Sequence, residues 1–523
     1  MKRNYIGLAV LLGSTLGLSQ AARAQGSYVD DALLYSRQNP TGTARTLGLG
    51  GASTSLGGDY GSMATNPAGL GLYTKSEITF TPGVGIGNAN TGIVASQAST
   101  GSTSLDQSAN SFHVASLGLV FTTRRADNDQ SSDWRGGSFG LGFTRLADFN
   151  YGFRYRNLTN DANSFYQFLR EPGGNPQNSV NTDAYQNTVA DIRNQDSSGD
   201  YYNLDGLAYG NYLTNTDLVR NSTTVRAVTI RNPRTGPVQQ DGVVQSKGSL
   251  SQFDLGYGGN YRDRFYIGGG VGIVTMNRTL TSTFGEGQNG VENFHYDDYL
   301  KSTGTGINAR LGVIVRPADV VRLGASVQTP TYLRITDTYQ TTLTSNPNYV
   351  ASGQSNILST TPGTYEYSVT LPFRANGGAT FLFGKYGFLT GDVEYVGYSQ
   401  TRYGTVGNDN SSFSDVNQTI SGGYKNTFNF KVGAEGRIDI FRVRLGYARY
   451  GNPYADGTLD RSQNYFTGGL GIRNKSFFLD VTEVYLANNK DQYAPYTLAS
   501  AASPVASINA NRATTSLTAG FVF

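Results

Sequence analysis

The chain has 523 residues, no cysteine and a formal net charge of +3. Without cysteine there are no disulfides, thiolate metal ligands or cysteine nucleophiles, and so small a positive excess argues against a nucleic-acid partner or an acidic substrate. Tyrosine (35) and phenylalanine (26) are abundant beside 67 glycines and only 15% charged residues. That composition suits a transmembrane barrel with aromatic girdles and a polar lumen, with a soluble β-solenoid or sandwich as the competing class.

The N-terminus carries Lys2 and Arg3, then an apolar run from Ile6 to Leu18, then Ala22-Arg23-Ala24 before Gln25. A basic start, an apolar centre and an A-x-A site predict a secretory signal peptide over residues 1–24. The apolar run is shorter than the ~20 residues of a spanning helix, and no cysteine follows for a lipid anchor. No later stretch is long and apolar enough for a helical span.

Residues 25–75 read as an N-terminal hatch, a plug folded inside something larger. A short helical pattern holds Asp30 and Asp31 at its start, where the helix dipole favours acids. A glycine-dense, almost uncharged run follows, in which Gly48, Gly50, Gly51, Gly57 and Gly58 permit tight turns and close backbone approach. It ends in Asn66-Pro67-Ala68-Gly69 and passes directly into an alternating strand. Pro67 fixes a bend and removes a donor. Asn66 either caps a turn or pairs backbone groups that would otherwise stay unpaired in a lumen.

These segments, DALLYSR from Asp31, GTARTLGLGGASTSLGGDYGS from Gly42, NPAGLGLY from Asn66 and SEITFTP from Ser76, resemble the N-terminus of FadL/TodX-type outer-membrane transport proteins. The likeness is strongest to a Bacteroidetes-type branch whose members are sometimes labelled haemin receptors. The resemblance implies an outer-membrane barrel of fourteen strands whose NPA segment, here Asn66, Pro67, Ala68 and Gly69, lies inside the lumen as part of a gate.

From Glu77 onward the chain alternates. Phe139, Leu141 and Phe143, then Ile307, Leu311 and Val313, then Phe428, Phe430 and Leu445 fall on one face, with glycine and charge on the other. Period two predicts that Phe139, Leu141, Phe143, Leu311, Val313, Phe428, Phe430 and Leu445 face lipid. Arg310, Arg322, Lys431, Glu435, Arg442 and Arg444 then face the lumen. Several segments keep the pattern for the ~9–11 residues of a tilted membrane strand. Short joints such as Arg262 to Arg264 and Arg437 to Asp439 alternate with long polar stretches such as Gly285 to Tyr299 and Gln340 to Thr361. This is the asymmetry of periplasmic turns and extracellular loops. The predicted class is therefore all-β: an antiparallel transmembrane barrel of about 14 strands over 76–523. The strands fall near 76–92, 111–123, 136–155, 247–261, 264–282, 301–316, 319–336, 362–382, 386–403, 417–438, 440–450, 460–473, 476–489 and 507–523.

The longest interruption, 157–246, reads as an extracellular loop. In it Phe165, Phe168 and Leu169 fall on one helical face. That stripe either packs the loop onto the barrel rim or offers an external groove to an apolar ligand. At the other end, Phe521 and the terminal Phe523 close an alternating strand and resemble the sorting signal read by the barrel-assembly machinery.

Catalytic, metal and cofactor chemistry finds no residues to carry it. His113 and His295 are the two histidines; they are not spaced as metal ligands, and haem ligation by either has no motif behind it. Gly268 to Gly272 continues a strand, no helix follows and no Gly-Lys-Ser/Thr is present, so a phosphate loop is not indicated. The expectation is a monomeric, non-enzymatic outer-membrane channel, surrounded by membrane lipid, for passive uptake of hydrophobic small molecules of the long-chain fatty acid or aromatic hydrocarbon class, gated by the hatch. A scaffold or shuttle for surface-protein secretion and a haemin receptor are the alternatives.

Overall fold

Alternation at period two becomes one closed antiparallel barrel of fourteen strands. The structure, a computed structural model, describes residues 28–94, 104–170 apart from 127 and 130, 182–407 apart from 217–218, 221–224, 227 and 232–235, 412–498 and 503–523. The signal-peptide reading of residues 1–24 lies outside the described residues.

The strands are β1 (Glu77–Ile93), β2 (Leu105–Arg124), β3 (Trp134–Asp148 and Tyr151–Thr159), β4 (Val238–Tyr261), β5 (Phe265–Gln288), β6 (Val291–Ala318) and β7 (Val321–Gln328 and Thr331–Ser345). They continue as β8 (Gly363–Leu371 and Arg374–Leu382), β9 (Gly387–Val396 and Arg402–Thr405), β10 (Thr427–Ile438), β11 (Phe441–Tyr450), β12 (Gln463–Arg473), β13 (Phe477–Tyr493) and β14 (Ala506–Val522). Each pairs with the next, and β14 closes on β1 from Glu77↔Val522 to Ile93↔Ala506. That pairing gives the sheet no free first or last strand, as a strand-built span requires.

The faces are those the alternation predicts. Phe139, Leu311, Phe428, Phe430 and Leu445 are exposed on the outer wall, and Leu141, Phe143 and Val313 share that wall, half-buried. Arg310, Glu435 and Arg444 are buried inside, and the Lys431 side chain is only 9% exposed. Inside, the charges pair: Arg310 with Asp254 (2.7 Å), Lys431 and Arg374 with Glu394 (3.1 and 2.7 Å), and Arg444 with Glu435 and Asp480 (2.8 and 2.6 Å). Arg442 instead donates to the carbonyls of Asp439 and Phe441.

Three expectations need correction. First, residues 417–423 of the strand expected over 417–438 belong to a helix, Ser414–Gly423, and the strand itself starts at Thr427. Val416 and Ile420, one turn apart, bury themselves in the lumen's apolar interior, and burial at helical spacing overrides the weak alternation there. Second, Gly285 to Tyr299 is no long loop. β5 and β6 run on to a two-residue turn at Asn289-Gly290, both with positive φ (54° and 79°), the geometry favoured for a tight hairpin. His295 therefore lies on a strand rather than in a loop. Third, the long connection is shorter than 157–246, because β3 continues to Thr159 and β4 starts at Val238. The last two errors share a cause. A strand that rises beyond the lipid no longer needs an apolar outer face, so its sequence reads as loop. The wall is lopsided as a result: β4, β5 and β6 have 24, 24 and 28 residues, whereas β10, β11 and β12 have 12, 10 and 11.

Candidate functional site: a plugged lumen

Residues 28–73 sit inside the barrel. They comprise helix α1 (28–36), helix α2 (Ala44–Gly48) and two 3-10 turns, Tyr60–Ala64 and Pro67–Leu72. Asp59 holds the plug to itself: its Oδ1 accepts from Thr43 Oγ1 (2.7 Å), Thr46 Oγ1 (2.9 Å) and the Gly61 amide (2.8 Å). Gly57 and Gly58, both with φ near +60°, turn the chain just before it.

Backbone groups of a plug have no water to fall back on, so the wall supplies their partners. Thr518 Oγ1 accepts from the Ala44 amide at 2.7 Å, and Thr482 Oγ1 donates to the Ala44 carbonyl at 2.6 Å. Asp392 on β9 accepts both the Ser53 and Thr54 amides, at 2.7 and 2.9 Å. Arg322 on β7 donates to the Leu56 carbonyl at 2.7 Å. Arg45 reaches out of the plug to Glu435 at 3.4 Å, joining it to the wall's ion-pair network.

Asn66, Pro67, Ala68 and Gly69 are all buried. The Asn66 Oδ1 caps the following turn by accepting the Ala68 amide at 3.0 Å. Its Nδ2 donates to the plug's own Thr54 carbonyl (2.7 Å), to Val313 on β6 (3.1 Å) and to Ala325 on β7 (3.3 Å). Asn66 is thus both cap and tether. Pro67 stands at the first position of its turn, where a missing amide proton costs nothing.

Sequence reasoning missed the seat. Lumen-facing glycines on six strands leave room for the plug's backbone. A Cβ at Gly312 would overlap the Asn66 carboxamide, one at Gly268 the Pro67–Ala68 peptide, and one at Gly324 the Thr54 carbonyl. At Gly258 it would stand 2.6 Å from the Gly71 amide, at Gly433 2.6 Å from the Leu49 carbonyl, and at Gly446 it would overlap the Gly50 amide. Glycine at the inward position of one strand after another is a signal visible in the sequence, but its meaning depends on knowing what it faces.

Above the plug the lumen turns apolar. An inner cluster gathers Ala32, Leu33 and Tyr35 of α1 against Phe149, Met276, Ile335, Tyr367 and Val369 of the wall, under the helix bearing Val416 and Ile420. Tyr28 stacks edge-on to Tyr367 and Phe413 at 5.3 and 5.4 Å, and Asp31 pairs with Arg278 at 2.5 Å. Further out lies a second cluster, into which the sequence-predicted stripe falls. Phe165 and Leu169, on helix Phe165–Leu169, are each 1% exposed, and Phe168 packs half-buried at the edge. Phe165 meets the rings of Phe284, Phe294, Tyr296 and Tyr496 at 5.1 to 5.4 Å. The stripe is therefore packed inside the outer vestibule rather than lying as an open groove. Burial raises the Tyr496 phenol well above the ordinary tyrosine range, so it stays protonated and donates to the Asn163 carbonyl at 2.8 Å. Between plug and wall a polar cavity of about 30 Å³, lined by Gln38, Thr65, Arg374, Glu394 and Lys431 among others, leaves room for about one or two waters.

The wall itself is interrupted beside the inner cluster. β2 pairs with β3 only from Ser116↔Thr144 to Arg124↔Gly136, while Tyr151–Thr159 pairs with β4. Arg512 of β14 spans the gap, donating to the Asn150 carbonyl (2.7 Å), Asp148 (2.9 Å) and Ser111 Oγ (2.6 Å). It passes over Gly85 of β1, where a Cβ would overlap the guanidinium. His113 is buried on β2 in the same region, whereas His295 lies on β6 beside Glu292. At the barrel's base Phe521 faces outward, and the Phe523 amide and carbonyl both bond Ser76.

No family model and no curated relative matches the chain. Solved structures do. A FadL homologue of Pseudomonas aeruginosa aligns at 14% identity with a TM-score of 0.54, covering 92% of this chain and 99% of that one. The toluene transporter TodX of Pseudomonas putida aligns at 11% identity with a TM-score of 0.51, covering 92% and 99%. The chain has the FadL/TodX-type fold. This FadL/TodX-type barrel is a protein of the outer membrane, its apolar outer band and closed sheet forming a strand-built span.

Proposed function

We propose that this barrel is an outer-membrane channel for passive uptake of hydrophobic small molecules, of the long-chain fatty acid or aromatic hydrocarbon class, gated by its N-terminal plug. The observation that carries the reading is the interior above the plug. A polar pore or an inert scaffold has no need of two apolar clusters inside its lumen, and burying them there rather than in lipid gains nothing for the span. An apolar solute that reaches the outer cluster around Phe165 can exchange into the inner cluster around α1. From there it can leave past the plug, or sideways where β2 and β3 part beside Phe149. No nucleotide-binding motif is present in the sequence, and a concentration gradient suffices to drive such transfer. One of the structurally similar proteins is a toluene transporter, which supports this class of solute.

Proteoliposomes carrying the mature barrel test it, with uptake of a radiolabelled long-chain fatty acid, toluene and arabinose compared against empty liposomes. Faster uptake of at least one apolar probe, with arabinose excluded, is expected. Equal rates for both apolar probes with and without the barrel overturn transport and leave the scaffold reading.

A further inference from the structure

We propose that the outer face of the tall wall, β4 to β7, binds the phosphorylated saccharide headgroup of an outer-leaflet glycolipid through Lys247 and Lys301. This inference does not depend on what passes through the lumen.

The strand register places these residues in rows. The last large apolar row on the outer face is Phe253–Ile273–Ile307–Tyr332, all four exposed. It marks the upper edge of the acyl-chain band. The next two rows are hydroxyls and amides, with Thr275 opposite Thr305 and Asn277 opposite Thr303. Arg334 sits at the end of the first of them, opposite Thr305, and its charge is already met by Glu366. The third row is Lys247–Thr279–Lys301. Rows are two residues apart, about 7 Å, so the lysines stand about 20 Å along the strands from the apolar edge. With strands tilted by about 35–45° that is about 15 Å of height. One strand separates the two lysines, about 10 Å.

Both lysines are exposed, and neither forms an ion pair among the described residues. Their row neighbours and the positions two residues along their own strands, Gln245, Ser249, Tyr299 and Thr303, carry no carboxylate. The nearest acid on the neighbouring strand, Asp148, is held by Arg145 and Arg512. Asp297 lies two rows higher on β6, where it accepts the Thr283 hydroxyl. Uncompensated ammonium groups above a bilayer attract anionic headgroups, by about fivefold in affinity for each basic residue. What selects a glycolipid over a simple phospholipid is the two-row gap. A phospholipid phosphate sits close to the acyl edge, whereas here the free cations stand beyond a flat array of hydroxyl and amide groups. That array matches sugar rings, with anionic groups reaching the lysines and acyl chains lying on Ile273 and Ile307.

The test uses the full-length mature barrel in nanodiscs of neutral lipid. Fluorescent lipopolysaccharide is titrated against the wild type, Lys247→Gln/Lys301→Gln, and a rim control, Lys385→Gln/Lys475→Gln. Dephosphorylated lipopolysaccharide, phosphatidylglycerol and inorganic phosphate serve as competitors. Heat-modifiability on gels checks that each variant is folded. Binding about 25-fold weaker in the Lys247/Lys301 variant, an unaffected control and no competition from the dephosphorylated form are the expected results. Unchanged binding in that variant overturns the proposal. Phosphatidylglycerol competing as well as lipopolysaccharide does so too, since it marks a generic anionic surface. Displacement by low-millimolar inorganic phosphate also overturns it, reducing the patch to a free-anion site.

Discussion

Asn66→Asp separates the two roles that the Asn66 side chain combines. The substitution keeps shape and volume and keeps an oxygen to accept the Ala68 amide, and Asp is as good a cap as Asn. It removes the Nδ2 donor that serves the Thr54, Val313 and Ala325 carbonyls. Two N–H groups shared among three acceptors, at about 1 kcal/mol net each, amount to about 2–3 kcal/mol of seating energy. The cost rises further because three buried carbonyls then face a carboxylate. Asn66→Ala loses the tether and the cap, about 1 kcal/mol more. A change of 2–3 kcal/mol alters the seated-to-unseated ratio by about 30- to 150-fold, enough to show as leak events in single-channel recordings in planar bilayers. Barrel integrity is followed in parallel by heat-modifiability. Tethering predicts that the Asp and Ala variants both leak a small polar solute such as arabinose while assembling normally. If Asp stays as tight as wild type and Ala alone leaks, Asn66 is only a turn cap. If neither leaks and apolar uptake is unaltered, the plug is not the permeability barrier.

Other perturbations bear on the same structure. Deleting Gly42 to Gly71 should leave a barrel that assembles and passes arabinose in liposome-swelling assays, because strand pairing does not run through the plug. Gly312→Ala should push the Asn66 carboxamide off its site at about 1–3 kcal/mol of overpacking, and reproduce the Asn66→Asp leak. Leu311→Arg, at a position 64% exposed on the lipid face, should lower barrel stability in urea titrations from lipid vesicles by about 2–4 kcal/mol, while a serine at the nearby rim residue Val320 should have little effect. Phe165→Ala should loosen the outer cluster by about 3–5 kcal/mol, read as faster protease nicking of the 160–237 connection with the barrel intact.

Much of the architecture is legible in the chain because lipid imposes a simple rule. A strand in a membrane wall has one face in hydrocarbon and one in the lumen, so Phe428, Phe430 and Leu445 on one side and Lys431, Glu435 and Arg444 on the other already declare the register. Turn spacing does the rest for the strand count. Legibility ends where that rule stops acting. Above the lipid, Thr275 to Gln288 and Val291 to Thr305 are still strands, but their outer faces meet water or headgroups and lose the apolar signature. The short helix at Ser414 and the burial of Phe165 were settled by what they pack against, residues as distant in sequence as Tyr367 and Tyr496. The seat of the plug is the clearest case. Asn66, Pro67 and Ala68 are plain in the sequence, but their position depends on Gly312, Gly268, Val313 and Ala325, about two hundred or more residues away. Only barrel closure brings those strands to one level around one axis, so the partners of a buried carboxamide were decided by the tertiary structure.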